Sequence, residues 1–414
     1  MIEESQYKVF VFQIPEAVYL FGGFLFSSER VKDKLVYFSE RALKTKGLLP
    51  FIYMNYSKND EKYMQLAIKL AERGIGKVSP NPMVGCVIVK NGRILSTGYH
   101  RYFGGHHAEV EALKKCKNPK GAIMYVNLEP CCHYNKKTPP CVPQIINSGI
   151  KKVVIAAKDP NPAVSGKAIL QLNKNNVLCE VGILSEAAKK LNESYIKYIK
   201  TKRPYVILKT AYSLDGKTKT KTGDSKWISS EKSRETVHKL RSRTDAILVG
   251  INTVLKDNPE LTSHGKGKNP VRVILDTKLK IPFGTNVLND DSKTIIATSK
   301  NSDKTKKEKL KKMGIEIIEL PLKKIVPMLS GTNFLDIKKL LIELGKKGIS
   351  SLLVEGGETT AQSFLMEKLV DKIMFFVCPK IINGMKYIKN AAIVKNISVR
   401  KIEKDFLFEG YLNV

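Results

Sequence analysis

The chain has 414 residues, enough for two or three domains, and 43% of them are hydrophobic, enough for packed cores. Its formal net charge is +32, yet lysine is spread along the whole chain rather than gathered on one face, so nucleic acid is not the expected substrate. No apolar run reaches the roughly 18 residues of a membrane span, and seven scattered cysteines fit a reducing cytoplasm rather than a disulfide framework.

Residues 1–55 read as an extension without an assignable role. The apolar stretch 17–26 is too short to span a bilayer, and Glu3, Glu4 and Glu16 argue against a basic leader. Met54 stands just before the first convincing helix as an alternative start. Apolar positions at helical spacing predict a helix over 60–73, stopped by Gly74 and Gly76. SPNPMVG (79–85) is a turn into a strand at 86–89, Asn91-Gly92 marks a hairpin, and 94–98 is the return strand. A helix over 108–113 and strands at 122–128, 152–157 and 177–181 follow, then a Lys-rich helix over 186–200. Strands alternating with helices imply a three-layer α/β domain over 56–202.

Lys202-Arg203-Pro204 reads as a linker into a second α/β domain, 203–414. Strands are expected at 205–209, 246–249, 271–275, 294–298, 351–354 and 374–377, with helices at 231–241 and 359–369. KTKKEKLKK (304–312) reads as a solvated helix. Val354 runs into Glu355-Gly356-Gly357 and then a helix, a strand–glycine turn–helix unit that presents backbone N–H groups to a phosphate. By itself, Gly-Gly before a helix is more often only a tight connection.

The densest chemistry lies in two pieces that must meet in space. His107-Ala108-Glu109 is one; Pro130-Cys131, with Cys141 after nine intervening residues, is the other. One imidazole and two thiolates leave a fourth tetrahedral position open, which marks a catalytic zinc site. Zinc lowers the pKa of a water bound there to about 7, and Glu109 is placed to shuttle protons. H-x-E followed by P-C and a second Cys is the zinc nucleobase-deaminase pattern, although its usual cysteine spacing is C-x-x-C. His106 and Cys132 compete for the ligand roles. His107 is preferred because it makes the H-x-E spacing, and Cys131 because it follows Pro130. Two rivals stand beside this reading: a nucleic-acid-editing deaminase, and a closed structural zinc module that recruits Cys132 or His133.

SPNPMVGCVIVKNGRI, GYHRYFGGHHAEVEAL, LEPCCHYNKKTPPC, DPNPAVSG, LKTAYSLDGK, TGDSKWISS, DNPELT and VEGGETT occur in this order. With these motifs the chain, from about Asp60 to Val414, resembles the bifunctional riboflavin-biosynthesis family, a fused pyrimidine deaminase and reductase. The family has a similar long cysteine interval, one residue shorter around 135–137. The resemblance implies a cytidine-deaminase-like domain followed by a dihydrofolate-reductase-like domain. It implies zinc-dependent deamination of a pyrimidine ribosyl phosphate, then NADPH reduction of the ribosyl chain to ribityl. It implies a homo-oligomer.

Residue roles carry over by position. His107, Cys131 and Cys141 would bind zinc, with Glu109 catalytic. Asn81, His100, His133, Lys137 and Thr138 would line the pyrimidine pocket. Ala211, Trp227, Thr253, Asp257 and Thr277 would contact NADPH, with the turn Gly357, Glu358, Thr359 and Thr360. Lys209, Ser225, Arg241, Leu261, His264 and Glu355 would contact the reductase substrate. His264 stands where the family often has Arg. It brings a mostly neutral ring in place of a guanidinium fork, which weakens one expected phosphate contact.

Overall fold

The computed structural model describes residues 57–134, 138–213, 216, 218, 229–324, 333–378 and 395–411, and the backbone of four short strands before them. Two compact units are formed, Met1–Tyr63 and Met64–Val414. In the first, β1 (Tyr7–Phe10) pairs antiparallel with β3 (Val36–Ser39), and β2 (Ala17–Tyr19) with β4 (Ile52–Met54). Most of the apolar stretch 17–26 lies outside the described residues.

Helix α1 (Lys58–Ala71) carries the chain into the second unit, where a short 3-10 turn ends at Gly74. Then come β5 (Gly85–Lys90), β6 (Arg93–Tyr99), α2 (Ala108–Lys115), β7 (Ile123–Leu128), α3 (Cys141–Asn147) and β8 (Lys152–Ala157). They are followed by α4 (Lys167–Lys174), β9 (Leu178–Val181), α5 (Ser185–Leu191) and α6 (Glu193–Thr201). The five strands form one sheet in the order β6-β5-β7-β8-β9, antiparallel at β6-β5-β7 and parallel at β7-β8-β9. Its central strands are buried on both faces, as their unbroken apolar runs dictate. Gly98 admits α2 to the sheet: a Cβ there would stand 2.2 Å from the Ala108 carbonyl oxygen. This close approach seats the first turn of α2 against β6.

The helix expected over 186–200 is two helices, broken at Asn192. The side chain of Asn192 is fully occupied elsewhere: Oδ1 accepts from Met83 N at 2.8 Å and Nδ2 donates to Met83 O at 2.9 Å. A buried asparagine serving a neighbouring turn costs less than an unbroken helix that leaves those backbone groups unpaired.

The second part of this unit holds β10 (Tyr205–Ser213), α7 (Glu231–Arg243), β11 (Ala246–Gly250), α8 (Ile251–Asp257), β12 (Val271–Leu275), β13 (Thr294–Ser299) and α9 (Lys304–Lys312). Next are β14 (Glu316–Leu320), β15 (Leu322–Lys324), β16 (Asn333–Leu335), α10 (Ile337–Lys346), β17 (Ser351–Val354) and α11 (Glu358–Met366). The chain finishes with β18 (Lys372–Cys378), β19 (Lys395–Ile402) and β20 (Asp405–Tyr411). A nine-stranded sheet runs β14-β13-β12-β11-β17-β10-β18-β20-β19. It is parallel from β14 through β18 and antiparallel where β20 and β19 close it. Separate apolar clusters pack its two faces, one under α10 and α11, the other under α7 and α8.

Two expectations change here. Lys202-Arg203-Pro204 is the short connection between α6, which ends at Thr201, and β10, which begins at Tyr205 and runs four residues longer than the strand expected at 205–209. The helix 304–312 is exposed on most faces, but Lys307 is 3% exposed. Its ammonium donates to Lys300 O at 2.9 Å and to Glu319 Oε1 at 2.8 Å. No helix among the described residues is long and apolar enough to cross a membrane.

Candidate active sites

His107 is the N-cap of α2 and Cys141 the first residue of α3, while Cys131 follows the end of β7. Helix α3 begins at Cys141 because Pro140 cannot donate and has an extended backbone, which suits a helix entrance. Cys131 Sγ lies 3.3 Å from His107 Nδ1 and 3.4 Å from Cys141 Sγ, and Cys141 Sγ lies 3.4 Å from His107 Nδ1. Zinc bonds of about 2.3 Å to sulfur and about 2.0–2.1 Å to nitrogen place tetrahedral ligand atoms roughly 3.5–3.8 Å apart. The triangle is a few tenths of an ångström tighter than that and fits a single ion. These three make the one such ligand group among the described residues.

The competitors point elsewhere. His106 is exposed, with Nε2 2.7 Å from Lys114 Nζ. Cys132 turns to the Ala163 carbonyl oxygen at 3.7 Å. The fourth position of the triangle therefore receives no ligand from either. Glu109 is 2% exposed in the first turn of α2. Burial, then the charge of Glu109, pushes the neighbouring Cys86 thiol well above its ordinary value.

Around the triangle, Thr138 Oγ1 lies 3.3 Å from His107 Nε2, so this hydroxyl orients the imidazole that offers Nδ1. His100 is 2% exposed and meets the His107 ring edge-on at 5.3 Å. Its Nδ1 donates to His106 O at 2.9 Å, which leaves Nε2 to accept from Asn81 Nδ2 at 3.1 Å. Asn81 thus keeps its Oδ1 for a ligand. His133 is half-buried beyond Cys132, and Lys137 lies outside the described residues.

Other residues that shape the pocket were not picked out from the sequence. Asn127 in β7 accepts from Gly85 N at 2.8 Å and donates to Met83 O at 3.0 Å. Glu129 Oε2 accepts from Asp159 N at 3.2 Å and from Gly166 N, the N-cap of α4, at 3.0 Å, and so braces the loop before Cys131. Asp159 receives the Tyr195 hydroxyl at 2.9 Å, and burial pushes its carboxyl up to about 6. Polar residues inside apolar strand runs, Asn127 above all, were the available signal.

In the nine-stranded sheet the candidate cofactor residues fall along one edge. Ala211 is on β10, Gly357 follows β17, Thr253 follows β11 and Thr277 follows β12, and these four strands are neighbours. Gly250 and Gly356 close in on the same side chain. A Cβ at Gly356 would lie 2.5 Å from Thr360 Cβ, and one at Gly250 would lie 2.9 Å from Thr360 Oγ1. The result is a shallow cradle at the N-terminus of α11, with Gly357, Glu358 and Thr359 exposed and Thr360 turned inward as its floor. Glycine turns at a helix start suit a cofactor diphosphate. Asp257 is exposed at the far end of α8, roughly 10 Å along the helix by its rise per residue. Trp227 and Ser225 lie outside the described residues.

The candidate substrate residues converge on Arg241. Its Nε and Nη2 donate to Glu355 Oε1 and Oε2 at 2.9 and 3.1 Å, and Nη1 donates to Thr262 O at 3.1 Å. Each guanidinium nitrogen is therefore already held by the protein. Lys209 lies over the Phe376 ring at 5.6 Å; burial pushes its ammonium down, and Glu355 opposes that. Leu261, at φ 56°, starts the turn that brings the exposed His264 ring to 4.2 Å from His238. His238 is pushed down to about 4 by burial, by Arg241 and by His264.

Comparison with known proteins accounts for both sites. The cytidine and deoxycytidylate deaminase zinc-binding region matches residues 57–157, and the RibD C-terminal domain matches 204–406. The riboflavin biosynthesis protein RibD of Aquifex aeolicus is 43% identical over 360 residues, covering 84% of this chain and 97% of that one. The chain belongs to the RibD family. The Escherichia coli RibD is 35% identical over 78% of this chain and 89% of its own. The structure of a diaminohydroxyphosphoribosylaminopyrimidine deaminase/5-amino-6-(5-phosphoribosylamino)uracil reductase from Thermotoga maritima superposes with a TM-score of 0.74 at 37% identity, covering 86% of this chain and 99% of that one. Acinetobacter baumannii RibD gives 0.76 at 33% identity over the same shares. As a RibD, the chain is a bifunctional riboflavin-pathway enzyme that acts on a small pyrimidine phosphate. Its zinc-dependent deaminase comes first and its NADP-dependent reductase second.

Proposed function

We propose that the deaminase half, 56–202, hydrolyses the 2-amino group of 2,5-diamino-6-(ribosylamino)pyrimidin-4-one 5′-phosphate. The reductase half, 203–414, then reduces the ribosyl chain to give 5-amino-6-(ribitylamino)uracil 5′-phosphate. The observation that carries this reading is the His107–Cys131–Cys141 triangle, with Glu109 buried in the first turn of the helix that His107 caps. Those three residues would hold zinc, which when bound supplies a Lewis acid that acidifies water. Glu109 takes the proton from the attacking water and returns protons to the ring nitrogen and the departing ammonia. Asn81 Oδ1 meets the polar edge of the pyrimidine, with the amide held in place by His100. His133, Lys137 and Thr138 complete the pocket, Thr138 by orienting His107.

In the reductase half, NADPH supplies hydride to C1′ of the opened sugar. Ala211, Trp227, Thr253, Asp257, Thr277 and the turn 357–360 hold that cofactor. Lys209, Ser225, Arg241, Leu261, His264 and Glu355 hold the sugar phosphate. The Arg241–Glu355 pair orients the site, and Glu355 opposes the burial and the Arg241 charge that push the Lys209 ammonium down. The enzyme works in the cytoplasm as a homo-oligomer.

A coupled assay on zinc-loaded protein tests the reading. With the diaminopyrimidine ribosyl phosphate and NADPH, ammonia release and loss of reduced nicotinamide should both appear, the second dependent on the first. Neither signal from folded, zinc-loaded protein would sink it. A finer expectation concerns His264. Restoring the guanidinium fork with His264→Arg should lower the reductase KM for the sugar phosphate by about three- to tenfold, the margin of a charge-assisted hydrogen bond over a neutral one. An unchanged KM would place the phosphate elsewhere.

A further inference from the structure

Asp245 lies between α7 and β11 in the reductase half, yet it bonds a deaminase residue. Its Oδ2 accepts from Ser79 Oγ at 2.7 Å. The same oxygen is held in place from its own side by Ser350 N at 2.9 Å and Ser351 N at 3.0 Å, at the start of β17. Ser350 Oγ sits 3.0 Å from Ser79 Oγ, so the two hydroxyls share the carboxylate. Three residues earlier the two halves touch again. Gly76, at φ 74°, lies so close to the end of α7 that a Cβ would stand 2.4 Å from Ser242 O.

The segment 74–81 is therefore seated on reductase residues 242–245. On its other side it faces the deaminase pocket. Asn81 N donates to Val78 O at 2.9 Å, Phe103 N donates to Lys77 O at 3.1 Å, and Asn81 Nδ2 reaches His100. Ser79 anchors this turn two residues before Asn81, and Asn127 and Asn192 hold it two residues after, at Met83.

We propose that Asp245 is a positioning residue for deamination: through Ser79 it holds the 78–83 turn at the height where Asn81 meets the pyrimidine. The deaminase pocket is thus completed by the reductase half of the same chain. This rests on the reading of Asn81 as the residue that holds the base. A carboxylate accepting a hydroxyl makes a charge-assisted bond, stronger than a neutral one, so losing it loosens the turn that presents Asn81 and weakens substrate binding.

Asp245→Ala would also strip the start of β17, so the link is tested from the deaminase end. Full-length, zinc-loaded Ser79→Ala, Ser79→Thr and Asn81→Ala are compared with the parent. Ammonia release is measured against the diaminopyrimidine ribosyl phosphate, and NADPH oxidation against the pyrimidine already deaminated. Ser79→Ala should raise the deaminase KM about fivefold, the worth of roughly one hydrogen bond. Its kcat should stay near the parental value, and its reductase kinetics and zinc content should not change. Ser79→Thr, which keeps the hydroxyl, should restore the KM. A parental KM in Ser79→Ala beside a raised KM in Asn81→Ala overturns the proposal. So does a Ser79→Ala protein that loses zinc, or kcat together with KM, because that marks general damage. An unchanged KM in Asn81→Ala would instead remove the reading of Asn81 itself.

Discussion

Glu109→Gln should lower ammonia release by about 10²- to 10⁴-fold, the range general acid–base catalysis contributes. The substitution keeps the shape of a side chain that is 2% exposed in the first turn of α2, so the helix and the triangle beside it have no reason to move. Glutamine accepts no proton from water, so the loss belongs to chemistry rather than to binding. Zinc content should match the parent, because the three atoms that define the site belong to His107, Cys131 and Cys141. NADPH consumption should vanish with the diamino substrate and persist with the deaminated one. Ammonia release within tenfold of the parent would remove Glu109 from the reaction. Loss of zinc would make it a structural residue instead.

The second large effect is expected at Glu355. Glu355 and Arg241 have side chains 9% and 13% exposed and share a bidentate pair, with Lys209 close by. Glu355→Gln leaves two buried cations facing an amide. Breaking a buried pair from one side costs about 3–5 kcal/mol, far more than the pair's net worth. Denaturant unfolding should show a destabilisation of that order, and the reductase reaction should fall with it. Burial pushes the Glu355 carboxyl up, but Arg241 and Lys209 outweigh it and hold it below its ordinary value. The sign of the pH effect follows. A depressed carboxylate stabilises the fold above its unfolded pKa of about 4.3, and that stability is lost as pH falls through the lower folded value. The gap between parent and variant should therefore be widest near neutral pH and close in acid. A variant as stable as its parent at neutral pH would show that the pair contributes little.

His238 adds a cationic case whose stability is likewise lost in acid. Its imidazole is held well below its ordinary value, so the neutral ring suits the folded state and stability declines as pH falls from about 6.5 toward 4. Both effects draw on the same cluster, because Arg241 touches Glu355 directly and faces His238 from the same helix.

Much of this was legible in the order of residues. Strands at 86–89, 122–128 and 152–157 were visible because doubly buried strands are unbroken apolar runs. The zinc residues were legible because metal binding demands particular side chains in particular local settings: His107 at a helix start, Cys141 behind two prolines. The motif order also pointed to a deaminase joined to a reductase. The break at Asn192 was not legible, since an asparagine in an amphipathic run looks like any solvent-facing residue until its partner, Met83, is known.

By itself, then, the sequence determined the two α/β halves, the deaminase chemistry and the residue types that carry it, because those depend on local pattern and on side-chain chemistry. The sequence already preferred His107 and Cys131 over His106 and Cys132, and what brings them together with Cys141 in one triangle is tertiary structure. Neighbours such as His106 and His107 differ only in where the backbone aims them, one toward Lys114 and the other toward two thiols. It alone also joined Ser79 to Asp245, and Arg241 to Glu355, across 166 and 114 residues of chain. Such pairs leave no periodicity to read, because a hydrogen bond needs only two groups at one point in space, and packing brings them there.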